Sequence, residues 1–129
     1  MFAPNPSFSS QWPTHVEQIR QSLDNRPPLL IEDPAKGHAA VALILRPNAV
    51  EAEMLFIERA RHPQDPWSGN LAFPGGRIDP GDRDARRAAE RETREEIGLD
   101  LSLAAYLGRL DDLIGAYLPV RVSCFVYGL

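Results

Sequence analysis

The sequence predicts one α/β domain of the α+β kind, a mixed β-sheet with a loop and a helix packed against it. Three observations carry that expectation. Two apolar runs, residues 38–46 and 119–129, are rich in the branched and aromatic side chains that suit strands. A charge-dense stretch running to Ile97 has helical spacing and is followed by Gly98, which fits the left-handed position just past a helix end. Between these patterns, residues 62–76 hold the prolines and glycines of a loop. A chain of 129 residues suits one domain rather than two.

The elements follow in order. Residues 1–12 are rich in Pro, Ser and Asn without periodicity and read as an extended arm. Thr14 is placed to cap a helix, with Glu17 at the capping-box position and Val16, Ile19 and Leu23 as its apolar stripe, ended by Asn25-Arg26-Pro27-Pro28. Residues 38–46 and 53–59 read as an antiparallel strand pair joined through Pro47-Asn48-Ala49. Within the loop, Leu71-Ala72-Phe73 has the makings of a short strand, and Gly75-Gly76 of a tight turn. A helix is expected from Asp82 or Asp84 to Ile97, then loose alternation over 99–110 and a strand over 119–129 through Val120, Val122, Phe125 and Val126. Residues 1–35 thus form an arm and helix, and 36–129 the main domain.

Composition excludes several functions. A net charge of −4 argues against a nonspecific binder of nucleic-acid polymers, which would need a basic surface. The chain has no apolar run of membrane-spanning length, and its first residues lack signal-peptide character, so no membrane association and a cytoplasmic location are expected. Cys124 is the sole cysteine, which rules out an intrachain disulfide framework or a four-thiolate zinc site, and it reads as buried and inert. His15, His38 and His62 lack metal-ligand spacing and receive no role.

The densest charge lies between Arg77 and Glu96. There Glu92, Glu95 and Glu96 stand at i, i+3 and i+4, placing three carboxylates on one helical face. Like charges at that spacing repel, so the cluster needs compensation from Arg91 and Arg94 or from a bound cation. Mg²⁺ and Mn²⁺ prefer oxygen ligands and supply it. Phe73-Pro74-Gly75-Gly76 directly precedes this helix, so a turn, a loop and a carboxylate helix follow one another as a candidate active-site block.

That block resembles the Nudix hydrolases, whose signature is G-x5-E-x7-R-E-U-x-E-E-x-G-U with U aliphatic. Arg91-Glu92-Thr93-Arg94-Glu95-Glu96-Ile97-Gly98-Leu99 matches the second half except at Thr93. Gly76 matches the leading glycine, and Asp82 falls where the first glutamate stands, with one extra residue before Arg91. The longer spacing is similar to the coenzyme A diphosphatase branch, as is Gly69-Asn70-Leu71-Ala72-Phe73-Pro74-Gly75-Gly76; upstream the chain departs, with Asp65 in place of an arginine and Pro66-Trp67-Ser68 between. The resemblance covers residues 55–99 strongly and the flanking strands weakly.

The resemblance implies hydrolysis of a nucleoside diphosphate linked to another group, coenzyme A being the favoured substrate, by metal-assisted attack of water. It implies that Glu92, Glu95 and Glu96 hold Mg²⁺ or Mn²⁺, that Glu95 or Glu96 orients or deprotonates water, and that Arg91 holds the carboxylates in place. The backbone of Gly75 and Gly76 is expected close to the metal or a phosphate, and Arg59 and Arg77 near an anionic substrate. Trp67 and Phe73 suit base stacking or plain packing, and Asp111-Asp112 suits gating or a turn. Hydrolysis of ADP-ribose or nucleoside triphosphates, or a non-catalytic nucleotide-binding regulatory module, stay open as alternatives. A Nudix domain ordinarily continues past its apolar strand, so the resemblance also implies a C-terminally incomplete domain, completed by a homodimer partner or another chain.

Overall fold

The computed structural model describes residues 13–33, 37–47, 51–59, 61, 63–64, 69–115 and 119–129; the arm expected at 1–12 and Trp67 lie outside them. Helix α1 spans Thr14–Asp24. Strands β1 (Gly37–Pro47), β2 (Ala52–Met54), β3 (Ile57–Glu58), β4 (Leu71–Ala72) and β5 (Gly75–Arg77) precede helix α2 (Ala85–Ile97). A 3-10 turn at Leu101–Leu103 leads into β6 (Ala105–Arg109), β7 (Leu113–Ile114) and β8 (Val120–Gly128). The architecture is therefore the mixed α/β one that the sequence predicts.

The sheet runs β2-β1-β8-β6, with β5 also paired to β1 and β7 to β8. β1 and β8 are parallel over nine residue pairs, from Gly37↔Val120 to Leu45↔Gly128, and the other pairings are antiparallel. Alternation along β1 buries both faces. Ala40, Ala42 and Ile44 pack with Phe125 and Tyr127 against Ala88 and Ala89 of α2. Leu45 packs with Val126 and Leu107 against Val16 of α1. Small residues at Ala40, Ala42, Ala88 and Ala89 let α2 lie close on the sheet, so its charged flank is held next to β5.

The structure corrects four local expectations. Thr14 is the first helical residue rather than the cap: Pro13 precedes the helix with φ −57°, makes no side-chain cap, and its carbonyl accepts from the N–H of Val16. The Pro13 carbonyl accepts from both Val16 and Glu17 N–H groups, so the first turn begins on Pro13 and Thr14 is drawn into the helix. Glu17 is consequently free of the capping box and binds Arg20, Nε to Oε1 2.9 Å. The strand expected over 53–59 breaks at Leu55, whose side chain turns into the α2 core and whose N–H reaches Ile44 O, so β3 pairs with β4 in a separate hairpin.

The third correction concerns Gly75-Gly76, which forms a strand rather than a turn, paired to Val41 and Ala40. A Cβ on Gly75 would lie 2.2 Å from Ala40 O, so glycine is demanded by strand approach. Finally, the loosely alternating stretch 99–110 resolves into a 3-10 turn and β6, because Leu101 drops into the core. Among the described residues no helix is long and apolar enough to cross a membrane.

Candidate active site

Helix α2 is fixed at both ends by local chemistry. Asp84 caps it, Oδ1 accepting from the N–H of Arg87 at 2.8 Å, and Gly98 ends it with φ +71°. Thr93 occupies an apolar position and is fully buried; its hydroxyl donates to Ala89 O at 2.7 Å, which satisfies the one polar atom an aliphatic residue would lack. The buried Tyr127 ties the helix to β8, its hydroxyl donating to Glu90 Oε2 at 2.7 Å while Arg86 Nε donates to it at 3.3 Å. Arg86 also lies 3.7 Å over the Tyr106 ring, a cation–π contact.

With the helix so placed, its carboxylates face β5. A Cβ on Gly76 would lie 2.6 Å from the Glu92 carboxyl carbon, so glycine there leaves the Glu92 side chain its room. Glu96 Oε1 accepts from the N–H of Gly75 at 3.3 Å. The residue is exposed as a whole, but its carboxyl end is tucked against β5, and that burial raises its pKa, with the Glu92 and Glu95 charges adding to the rise and the Gly75 N–H and Arg59 opposing it. Arg59, at the end of the β3–β4 hairpin, is thereby brought within electrostatic reach of Glu96.

Arg91 is the hub. Its Nε and Nη2 meet Asp82 Oδ1 and Oδ2 at 2.9 and 3.0 Å, Nη1 meets Glu92 at 3.1 Å and Glu95 at 3.2 Å, and Nη2 lies 3.3 Å from Asp79. The hydrogen bond to Asp82, then those to Glu95 and Glu92, raise its already high pKa. Reciprocally, the Arg91 hydrogen bond holds the Asp82 carboxyl below the usual range, helped by the Asp79 N–H. Arg91 also donates to Arg77 O at 3.3 Å, which ties the helix to the end of β5.

Glu92, Glu95 and Glu96 therefore share one face without converging into a cage: Glu95 is held toward Arg91, Glu96 toward Gly75 and Glu92 lies between them. Among the described residues no three His, Cys, Asp or Glu side chains form a ready metal cluster. The donor chemistry nonetheless fits a hard cation. Four carboxylates gather around Arg91, and Glu96 stands on the same helix flank beside Gly75, an oxygen-only donor set of the kind hard cations take.

One expected site residue stands differently. Arg77 lies opposite Ala39 and its guanidinium sits against Gly37, on the face of β5 turned away from Glu92 and Gly76. Alternation along the strand sends its side chain there. Phe73 stacks on Phe56 with ring centroids 4.9 Å apart. Asp111 and Asp112 brace the segment after α1, accepting from the N–H groups of Leu29 and Ile31 at 2.9 and 2.8 Å. The sequence reading missed Asp79 and the Glu90–Tyr127 clamp. Asp79 had a signal, an acidic residue between Gly75-Gly76 and Pro80-Gly81; Tyr127 had none, because 37 residues separate it from Glu90.

The NUDIX domain family matches residues 36–121, more than half of the chain. Among curated relatives, an uncharacterized protein of Schizosaccharomyces pombe is 36% identical over 81 residues, covering 57% of this chain and 25% of that protein. The Nudix hydrolase NudL of Yersinia pestis, also uncharacterized, is 37% identical over 73 residues, covering 57% of this chain and 35% of its own length. The chain thus spans about a quarter to a third of the relatives it matches. Among solved structures, an Ap4A hydrolase of C. elegans superposes with TM-score 0.57 at 26% identity, over 72% of this chain and 66% of that one. The NUDIX domain of Shewanella oneidensis NrtR, solved with ADP ribose, shares the fold at TM-score 0.54 and 15% identity, over 98% of this chain and 71% of that one. The match over residues 36–121, which takes in the β5–α2 block, places this chain in the Nudix family.

Proposed function

We propose that this chain carries the hydrolytic centre of a divalent-metal-dependent diphosphatase acting on a nucleoside diphosphate derivative, with coenzyme A the favoured substrate. The observation that carries the reading is the set of Glu92, Glu95 and Glu96 on the α2 flank facing the Gly75–Gly76 strand. When bound, Mg²⁺ or Mn²⁺ would neutralise the diphosphate and acidify a bound water. Glu92, Glu95 and Glu96 would hold the ion, and the chain's own groups do the rest.

Glu96 is suited to accept a proton from water, since burial and its neighbours raise its affinity for one. Glu95 is the second candidate for that role. Arg91 fixes the carboxylates through its shared hydrogen bonds and leaves substrate to other groups. Gly75 and Gly76 let β5 lie close on β1 with the Glu92 carboxylate beside it, so a phosphate held by the cation would meet the β5 backbone, and Arg59, beside Glu96, supplies a cation for the diphosphate. Arg77 is left out of this set, because its guanidinium lies on the other face of β5.

The 26% identity to an Ap4A hydrolase favours a second substrate class, dinucleoside polyphosphates, for the same machinery. A single panel separates the readings: the purified chain with Mg²⁺ or Mn²⁺, offered coenzyme A, ADP-ribose, dinucleotides and nucleoside triphosphates, with products identified by mass spectrometry. Diphosphate cleavage that disappears in Glu95→Gln and Glu96→Gln supports the diphosphatase. Saturable nucleotide binding without turnover would replace it with a non-catalytic binding module.

A further inference from the structure

The face of the sheet that supports α2 also carries a second charged group. His38 of β1 stands opposite Arg121 of β8, and Ala40 opposite Ser123. Ala40 and Phe125 pack against α2, so strand alternation puts His38, Arg121 and Ser123 on that same face. Arg109 of β6 joins them, opposite Phe125, with its guanidinium 5.0 Å from that ring.

Three of the four side chains are hydrogen-bonded in a chain through Ser123, and Arg121 lies within electrostatic reach of His38. Ser123 Oγ lies 2.7 Å from His38 Nε2 and accepts from Arg109 Nη2 at 2.9 Å. Arg109 also meets Asp112 Oδ1 at 3.1 Å, and Arg121 donates to Ile31 O. Among the described residues Asp112 is the carboxylate that pairs with Arg109; Asp111 is engaged by Arg26 and the Leu29 N–H. Two guanidiniums and an imidazole thus stand around the buried Asp112 carboxylate. Arg109 Nε and Arg121 Nε are buried without a hydrogen-bond partner. Burial, with the charges of Arg121 and Arg109, holds the His38 imidazole below its ordinary pKa, against the pull of Asp112.

A network built only for stability would cancel its charge and pair its donors. This one leaves the buried Nε donors of Arg109 and Arg121 unpaired. Its position is informative as well. Ala40 is flanked by Ser123 on one side and Gly76 on the other, so the group lies two strand spacings, roughly 10 Å, from the backbone that abuts Glu92.

We propose that His38, Arg109 and Arg121 form an oxyanion subsite, which binds a phosphomonoester-type group carried by the substrate roughly 10 Å from the diphosphate. Guanidinium forks match the oxygens of such a group, and Ser123 holds a hydroxyl between Arg109 and His38. The placement of that group on a substrate rests on the diphosphatase reading above; the subsite itself does not.

Two arms test it. In metal-free buffer, inorganic phosphate is titrated into the protein while NMR follows the His38 ring and the Arg121 and Ser123 amides. Saturable shifts at these residues are expected, weakened about tenfold or more in Arg121→Gln and in His38→Asn, with the rest of the amide spectrum reporting that each variant is folded. In the second arm, coenzyme A and dephospho-coenzyme A, which differ by one phosphomonoester, are compared as substrates. Wild type should prefer the former by about tenfold in kcat/KM, and Arg121→Gln should bring the ratio toward one.

Shifts absent, confined to residues 75–96, or equal in the variants would overturn the subsite. Shifts at His38 with no turnover of either compound would uphold the subsite and defeat the diphosphatase reading. Shifts with turnover but no preference would overturn the substrate-borne assignment in favour of a free anion.

Discussion

Replacing Asp82 with alanine isolates the contact that organises the site. Asp82 receives Arg91 at 2.9 and 3.0 Å and the Asp79 N–H at 2.8 Å, with its own side chain only 6% exposed. A hydrogen bond to a charged group contributes about 1.5–3 kcal/mol, but Arg91 is 27% exposed and keeps Glu92 and Glu95, so the contributions do not sum. A net loss of about 2 kcal/mol is expected, which in a domain of this size lowers Tm by roughly 8 °C.

The pH dependence sharpens that test. Arg91 depresses the folded-state pKa of Asp82, so this contribution is complete above the ordinary carboxylate value and fades as pH falls through the folded value. Urea unfolding of wild type and Asp82→Ala at neutral pH and near pH ~3 should therefore show a gap that shrinks on acidification. A neutral-pH gap below about 0.5 kcal/mol, or one that is the same at both pH values, would refute the reasoning.

Gly76→Ala puts a Cβ 2.6–2.9 Å from the Glu92 carboxyl atoms and should displace that side chain, lowering metal-dependent turnover at least about tenfold while the thermal transition changes little. Steady-state kinetics beside a thermal melt decide it, and unchanged turnover would refute it. Tyr127→Phe leaves Glu90 with only its arginine partners and should cost about 1–2 kcal/mol in urea unfolding, detected as a lower midpoint at constant m. The Cys124 thiol, 3% exposed and pushed up to about 11 by burial, should resist a thiol reagent in the native protein and react once the protein is unfolded; rapid native labelling would contradict its placement.

Much of this was legible in the sequence where a local rule applied. The α2 boundaries follow from Asp84 and Gly98, β1 and β8 from their unbroken apolar runs, and the carboxylate face from the i, i+3, i+4 spacing of Glu92, Glu95 and Glu96. What escaped depended on tertiary contacts. Gly75-Gly76 reads as a turn until β1 is laid beside it, when the 2.2 Å approach to Ala40 O explains the glycine as a strand residue. The direction of Arg77 depends on register with Ala39, which no local pattern encodes. Leu55 breaks its strand because the α2 core captures it, although its neighbours have strand composition. His38, read as a histidine without a role, gains one only through pairing with β8.

The central claim is that the α2 carboxylates beside Gly75 and Gly76 are a divalent-cation site. Electron paramagnetic resonance of free Mn²⁺, titrated against wild type, Glu92→Gln and Glu96→Gln, tests it most directly. Saturable binding by wild type that weakens at least about tenfold in each variant is the expected result. Wild type that leaves Mn²⁺ free, or binding that survives both substitutions unchanged, would contradict it.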